Sequence, residues 1–390
     1  MDFTAKYPAL ANLYRRLLVW GSRTIRGIDP DKVVFSSYLG KQYGDNPRCI
    51  SERLHERYPK AKIVWLFDTY HSRHVPENLP DYAKPLYILS KEAFCELGTA
   101  RVWVDNFTKV NVLRHPKGRQ FYVQTWHGDR AIKKICYDIG LDDGHRIEEE
   151  CDRVLTASAF GERMYRTAFR YHGEYIRAGS PRNDILVKND PADIARVRAK
   201  LNIPEGTKLL LYAPTYRDND AVLPKRAQMD LDRTLRCLEE KTGGPWMCMY
   251  RTHYFTEGID LDSVKDRIVD VTAYDDMAEL LLAADMVLTD YSSCALDYIL
   301  RDKPALFYIA DWAEYVSTRG VYFDVREAPF FTAENQDALE ALIRGLTEEK
   351  VRRNCTDIRE YFGYYETGRA TDAACDYIIE RLGSRRKFPD

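Results

Sequence analysis

The chain is expected to fold as an α/β protein built from two doubly wound, Rossmann-like domains of similar size facing a cleft. Three observations predict this. Short apolar runs alternate with segments of helical spacing from Val33 to Ile309, and strands separated by helices imply parallel sheets. The alternation falls into two blocks, joined by a stretch where Pro191, Ile194, Val197 and Leu201 recur at helical spacing before Pro204. Polar clusters rich in Arg, His and Ser close several apolar runs, which is where open α/β sheets bind ligands.

Composition narrows the class. A chain of 390 residues, 45% hydrophobic and 30% charged, accommodates two or three domains with sizeable cores. The net charge of -2 gives no global attraction to nucleic acid or membrane. No nucleic-acid partner is expected, and a membrane contact must be read from a local patch. The 9 Cys are scattered without a CxxC pair, which argues for reduced thiols and against a disulfide frame or a zinc site. No metal and no cofactor are expected. No apolar run approaches the ~20 residues of a membrane span, and no secretory-signal core opens the chain. A GxGxxG fingerprint is missing, which argues against a conventional dinucleotide site.

Residues 1–28 are expected to form an amphipathic basic helix. Positions 3–28 contain no acid. Leu10, Leu13, Tyr14, Leu17, Trp20, Thr24 and Ile25 fall on one side of a helical wheel, with Arg15, Arg16, Arg23 and Arg26 opposite. This is the pattern of a helix lying in an anionic membrane surface. An N-terminal helix packed on its own domain has the same pattern, and both readings stand.

The first domain is expected over 29–186. Its strands are read at Lys32-Val-Val-Phe-Ser36, Ala61 to Phe67, Pro85 to Leu89, Arg101 to Val104, Gln120 to Gln124, Val154 to Ala157 and Glu174 to Arg177, with a helix from about Cys49 to Tyr58 and another at Lys91 to Leu97. The second domain is expected over 187–370. Its strands are read at Lys208 to Thr215, Trp246 to Tyr250, Arg267 to Asp270, Met286 to Thr289 and Ala305 to Ile309. Helices are read at Leu231 to Lys241, Met277 to Ala284, Ala295 to Leu300, Gln336 to Leu346 and Val351 to Phe362, with a final helix and basic tail over 371–390.

One turn organises the second block. Met286-Val-Leu-Thr289 is a buried strand, Asp290-Tyr-Ser-Ser293 breaks it, and a helix follows with Ala295, Leu296, Ile299 and Leu300 as its apolar side. The N–H groups at a helix start attract phosphate, and Ser292 and Ser293 add hydroxyls. Simple capping by Ser293 is the plainer alternative. Four more clusters follow strands: Gln124-Thr-Trp-His-Gly128 leading into Asp129-Arg130-Ala131, Gly179 to Asp184 with Arg182, Ala213-Pro214-Thr215 to Asp218, and Tyr250-Arg251-Thr252-His253. Arg holds phosphate oxygens in a forked pair, and His can take a proton near neutral pH. Together the clusters suit a polyanionic substrate.

Read in order, these motifs resemble the CDP-glycerol glycerophosphotransferase family, the teichoic-acid primases and polymerases. The matching stretches are Gln124 to Gly128, Ser180 to Leu186, Tyr212 to Thr215, Arg251 to His253, Thr289 to Ser293 and Gly320-Val-Tyr-Phe-Asp324, with Phe35 to Pro47 as an early segment. The resemblance implies a GT-B fold and transfer of glycerol phosphate from CDP-glycerol, with CMP leaving. It implies His127 and His253 as catalytic, and donor contacts from Gly128, Asp129, Arg130, Ala131, Arg182, Pro214, Thr215, Arg251, Thr252, Ser292, Ser293 and Asp297. It further implies a lipid-linked saccharide or polyol-phosphate acceptor, and a place on the cytoplasmic face of the membrane. One departure stands out: Asp129 and Arg130 occupy positions where the family usually reads Thr and Pro. A carboxylate beside a phosphate repels it unless Arg130 or Lys133 compensates. Transfer of ribitol phosphate, a nucleotide-sugar glycosyltransferase and a catalytically inactive scaffold are the alternatives.

Overall fold

The computed structural model describes residues 8–68, 75–107, 115–140, 151–215, 229–251 and 262–383. Thr252 and His253, both expected at the site, lie outside the described residues, as do 1–7 and the basic tail from 384.

The chain divides into two compact units. The first comprises 1–129, 140–184 and 365–390, and the second 130–139 and 185–364. In the first, helix α1 (Pro8–Arg26) precedes β1 (Asp29–Ser36), α2 (Asp45–Arg57), β2 (Lys62–Phe67), β3 (Ala83–Tyr87), α3 (Lys91–Thr99), β4 (Ala100–Asp105), β5 (Phe121–Gln124), β6 (Arg153–Thr156), α4 (Ala159–Ala168) and β7 (Glu174–Arg177). The seven strands form one parallel sheet in the order β3-β2-β1-β4-β5-β6-β7. Strand order reverses between β1 and β4, which makes their C-terminal ends the topological switch point.

A short helix, α5 (Asp184–Lys188), carries the chain into the second unit. There follow α6 (Pro191–Lys200), β8 (Lys208–Ala213), α7 (Leu231–Thr242), β9 (Trp246–Tyr250), β10 (Ile268–Asp270), α8 (Met277–Ala283), β11 (Met286–Thr289), α9 (Cys294–Tyr298), β12 (Ala305–Tyr308), α10 (Trp312–Arg319), β13 (Phe331–Ala333), α11 (Gln336–Gly345) and α12 (Glu348–Phe362). The second sheet is also parallel, in the order β10-β9-β8-β11-β12-β13. Its switch point lies between β8 and β11. The fold class expected from the sequence, two doubly wound α/β units of the GT-B kind, is the fold observed.

The last helix, α13 (Ala370–Ile379), belongs to the first unit. Its Ala374, Cys375 and Ile378 are buried in one core with Val33, Phe35, Ile50, Leu54 and Trp65. Ion pairs fasten its rim: Arg53 Nε to Asp372 Oδ1 at 2.7 Å and Arg57 Nη2 to Asp376 Oδ1 at 2.6 Å. Segment 130–139 joins the second unit through a bridge between Lys133 and Val321, and a bond from Tyr322 Oη to Asp138 Oδ2 at 2.6 Å.

Helix α1 packs on its own unit against α3, but along only part of its surface. Its small residues Ala11 and Ser22, with Val19, are buried. It lies so close to α3 that a Cβ on Gly98 would meet Val19 O at 2.5 Å. Leu10, Leu13, Tyr14, Leu17, Trp20 and Ile25 are all more than half exposed. The large apolar side chains therefore do not pack on their own domain. Two arginines do: Arg15 lies over the Phe94 ring at 5.7 Å and Arg23 Nε donates to Gly98 O at 3.5 Å.

Candidate active site

His127 follows β5 at the end of a hydrogen-bonded turn. The turn begins with Asp105 at the end of β4, whose Oδ1 accepts from Gln124 Nε2 at 2.8 Å and Tyr122 Oη at 2.9 Å. Gln124 Oε1 in turn accepts the Trp126 N–H at 2.8 Å. Trp126 has φ 47°, the left-handed region, which costs a bulky residue roughly 1–2 kcal/mol. Such strain persists where the surroundings enforce it, and it concentrates at functional sites.

The imidazole of His127 is half-buried among aromatic rings. Trp126 stacks on it with centroids 4.4 Å apart, Phe107 at 5.4 Å, and Tyr38 tilts against it at 5.1 Å. Its Nδ1 lies 2.7 Å from the backbone carbonyl of Asn106. A carbonyl only accepts, so this bond requires a proton on Nδ1, and in the neutral ring Nε2 then carries the lone pair. That is the tautomer a general base requires. The Asn106 side chain holds the adjacent loop, its Oδ1 accepting Tyr38 N at 2.8 Å.

Arg182 follows β7 in the same unit. Its Nη1 lies 3.2 and 3.4 Å from the two Asp45 carboxylate oxygens. Asp45 Oδ2 also accepts from Tyr38 Oη at 2.7 Å. Asp45 thus links the loop beside His127 to the Arg182 guanidinium.

Asp129 is buried and turned toward the start of α4. Its Oδ2 accepts from Ala157 N at 2.6 Å, Ser158 Oγ at 3.1 Å and Thr156 Oγ1 at 3.3 Å. A carboxylate is favoured at a helix N-terminus, and Gly161 makes room for it: a Cβ there would meet Asp129 Oδ2 at 2.6 Å.

The second unit gathers the other expected residues around its switch point. Buried Pro214 and half-buried Thr215 follow β8, and Ser292 and Ser293 follow β11. Asp290 ties the two strand ends together. Its Oδ1 accepts both Thr215 N at 2.8 Å and Tyr291 N at 2.6 Å. Ser293 is the first residue before α9, but its hydroxyl makes no capping bond. Ser292 Oγ accepts Cys294 N instead, at 3.3 Å. Arg251 follows β9 and donates from Nη1 to Tyr274 O at 2.5 Å. Its charge is felt at Cys294: burial pushes that thiol up to about 11, while Ser292 and Arg251 oppose the shift. Cations and hydroxyls therefore converge on one turn, beside N–H groups at a helix start. Arg130 and Asp297 form an ion pair here, Nη2 to Oδ1 at 2.5 Å. Ala131 is half-buried beside Arg130.

Residues 20–380 match the family described as CDP-Glycerol:Poly(glycerophosphate) glycerophosphotransferase. The chain belongs to this family. Among its relatives is the teichoic acid poly(glycerol phosphate) polymerase of Bacillus subtilis (strain 168), 28% identical over 391 residues, or 95% of this chain and 51% of that protein. The chain thus spans about half the length of that relative. The teichoic acid glycerol-phosphate transferase of Staphylococcus aureus (strain NCTC 8325 / PS 47) is 30% identical over 369 residues, 89% of this chain and 92% of the relative. Among solved structures, the wall teichoic acid polymerase TagF superposes with a TM-score of 0.81 at 26% identity, covering 96% of this chain and 95% of that one.

Among the described residues of this family member, the expected site residues fall into two groups. Asp129 and Arg182 share the first unit with His127 and Gly128, and Arg130, Ala131, Pro214, Thr215, Arg251, Ser292, Ser293 and Asp297 lie in the second. Sequence reasoning did not single out Asn106, Tyr38, Asp45 or Asp290. The strand-end positions of Asn106 and Asp290 were the available signal.

Proposed function

We propose that the protein transfers glycerol phosphate from CDP-glycerol to an acceptor hydroxyl and releases CMP, in the synthesis of teichoic acid or a related cell-surface polymer. The observation that carries this reading is the His127 imidazole, protonated on Nδ1 by its bond to Asn106 O and so basic at Nε2. The acceptor hydroxyl gives its proton to Nε2 as its oxygen attacks the phosphorus of the glycerophosphoryl group. The bond from that phosphorus to the bridging oxygen breaks, and the electron pair leaves with CMP. Arg251, Ser292, Ser293, Thr215 and the N–H groups at the start of α9 hold the pyrophosphate charge. Helix α9 has only five residues, so its hydroxyl and N–H donors matter more than its dipole. Arg182 contributes charge beside His127, and His253 is proposed as a further phosphate ligand. Phosphoryl transfer needs mainly this positioning and charge stabilisation.

The acceptor is proposed to be a lipid-linked saccharide or a polyol-phosphate chain at the cytoplasmic face of the membrane. No helix among the described residues is long and apolar enough to cross a bilayer. The outward apolar stripe of α1 supports attachment to an anionic surface instead.

The test is direct. Purified protein is incubated with CDP-glycerol or CDP-ribitol and a lipid-linked acceptor, with CMP release and product mass as readouts. A mass gain of one or more glycerol phosphate units is expected. Gain of ribitol phosphate alone, or absence of CMP release, overturns the reading.

A further inference from the structure

We infer that Asn46 is a positioning residue for the transfer reaction, its side-chain amide fixing both the turn that aims His127 and the turn that carries Arg182. The inference rests on the reading of His127 as the base.

Asn46 is the second residue of α2 and is 1% exposed. Its Nδ2 donates to Trp126 O at 2.9 Å and to Thr125 O at 3.4 Å. Its Oδ1 accepts Arg182 N at 3.1 Å. An Asn at a helix start ordinarily caps its own helix. Among the described residues this side chain makes no bond to α2, and its hydrogen bonds go to the two chain segments that bear the proposed base and a proposed phosphate ligand.

The need for such a clamp is local. Trp126 sits at φ 47°, a conformation that a large side chain leaves unless held. Gln124 holds its N–H at 2.8 Å and Asn46 holds its carbonyl. Gln124 is itself held by the Asp105 carboxylate and by Phe107 O at 2.6 Å. The Trp126 peptide is therefore fixed at both ends. The ring that stacks on His127 belongs to this same residue, so relaxing the peptide moves the imidazole. A misplacement of about 1 Å costs as much as 100-fold in rate.

Two substitutions separate the two halves of the amide. Asn46→Asp keeps an oxygen for Arg182 N but loses the donor and sets a carboxylate against two carbonyls. Asn46→Ala loses both halves. For Asn46→Asp, kcat per folded molecule is expected to fall roughly 10- to 100-fold, with the donor KM within about twofold of wild type. Asn46→Ala is expected to lower kcat similarly and also to raise the donor KM several-fold. A carboxyl facing carbonyls is favoured protonated, and then donates as the amide did. The kcat deficit of Asn46→Asp should therefore narrow as pH falls.

The second readout is the 15N spectrum of labelled histidines, with the His127 signal assigned by His127→Gln. Wild type should show the Nδ1–H tautomer, and both variants a mixture. Wild-type kcat in folded variants together with an unchanged His127 signal overturns the inference. If only Asn46→Asp folds, its kcat and spectrum decide alone. If wild type does not turn over CDP-glycerol, the proposed function falls, while the His127 spectrum still judges Asn46.

Discussion

Arg130 donates from Nη2 to Asp297 Oδ1 at 2.5 Å, and its guanidinium lies 4.2 Å from the Tyr364 ring centroid. Both charged side chains are buried, at 2% and 7% exposure. The neighbouring Asp129 is taken up by the backbone and hydroxyls at the start of α4. The Asp129-Arg130 pair, the departure from the family pattern, thus has a structural account. The carboxylate is spent on a helix N-terminus, and the guanidinium compensates the one carboxylate on α9.

Breaking that pair is expected to be costly. Removing one partner of a buried ion pair leaves a bare charge and costs about 3–5 kcal/mol. Arg130→Met should lower unfolding free energy by about that amount in a urea titration. The double substitution Arg130→Met with Asp297→Leu should recover much of the loss, because no unpaired charge remains. A single variant as stable as wild type would show that the pair does not hold this region.

The fold was legible where strands are buried on both faces. β1, β2, β4, β8 and β11 read as short apolar runs because parallel strands are covered by helices on both sides. β13, α4, α5 and α10 were missed. β13 is three residues at a sheet edge, and α10 shows little difference between its faces. Helix α2 begins at Asp45, earlier than the expected Cys49, because Asp45-Asn46-Pro47 read as a turn although Pro is favoured in a first helical turn. His127, Arg182 and Ser293 were visible as polar groups at strand ends. Asn46 was not, because its partner Trp126 lies 80 residues away and nothing local announces the pairing.

His127→Ala is expected to lower turnover by roughly 100-fold or more, the scale of losing a general base. The base must act after the donor is bound, so apparent donor affinity should change little. Near-normal CMP release from a folded His127→Ala protein removes His127 from the mechanism.

Arg251→Ala and Ser293→Ala are expected to act on the other side of that split. Both groups would touch pyrophosphate charge that exists before reaction as well as in the transition state. Donor affinity should weaken in each variant, as read by titration with CDP-glycerol. Unchanged affinity in both would place the pyrophosphate elsewhere.

Asp285 gives a pH-dependent contribution to stability. Burial pushes its carboxyl up, but Lys303 at 2.8 Å, Arg198 at 2.5 Å and the Leu209 N–H at 3.0 Å bring it below the usual carboxylate range. A lowered folded-state pKa stabilises above the unfolded value, about 3.9, and the contribution is lost as pH falls through the folded value. Asp285→Asn should therefore be less stable than wild type at neutral pH, with the gap narrowing below about pH 4. A gap that stays constant from pH 7 to pH 3 contradicts this account.

The N-terminal helix gives the last prediction, attachment to anionic membrane. Its large apolar residues face outward while Ala11, Val19 and Ser22 pack on α3. Two of its four arginines are engaged with α3, at Phe94 and Gly98. Arg16 and Arg26 are exposed. At about 1 kcal/mol per basic residue near an anionic surface, the exposed Arg26 supplies only a small part, so the apolar stripe must carry most of the attachment. Salt should weaken binding only in part. Deleting the helix would be a poor test, because it uncovers the α3 face that Val19 and Ser22 occupy. Leu17→Ser with Trp20→Ser is cleaner: both side chains are more than half exposed, so the thermal midpoint should not move. The double variant should float markedly less well with anionic vesicles than wild type. If it floats equally well while remaining folded, the stripe is not the anchor. If instead wild type sediments as a dimer without vesicles and the variant as a monomer, the stripe joins two copies of the chain.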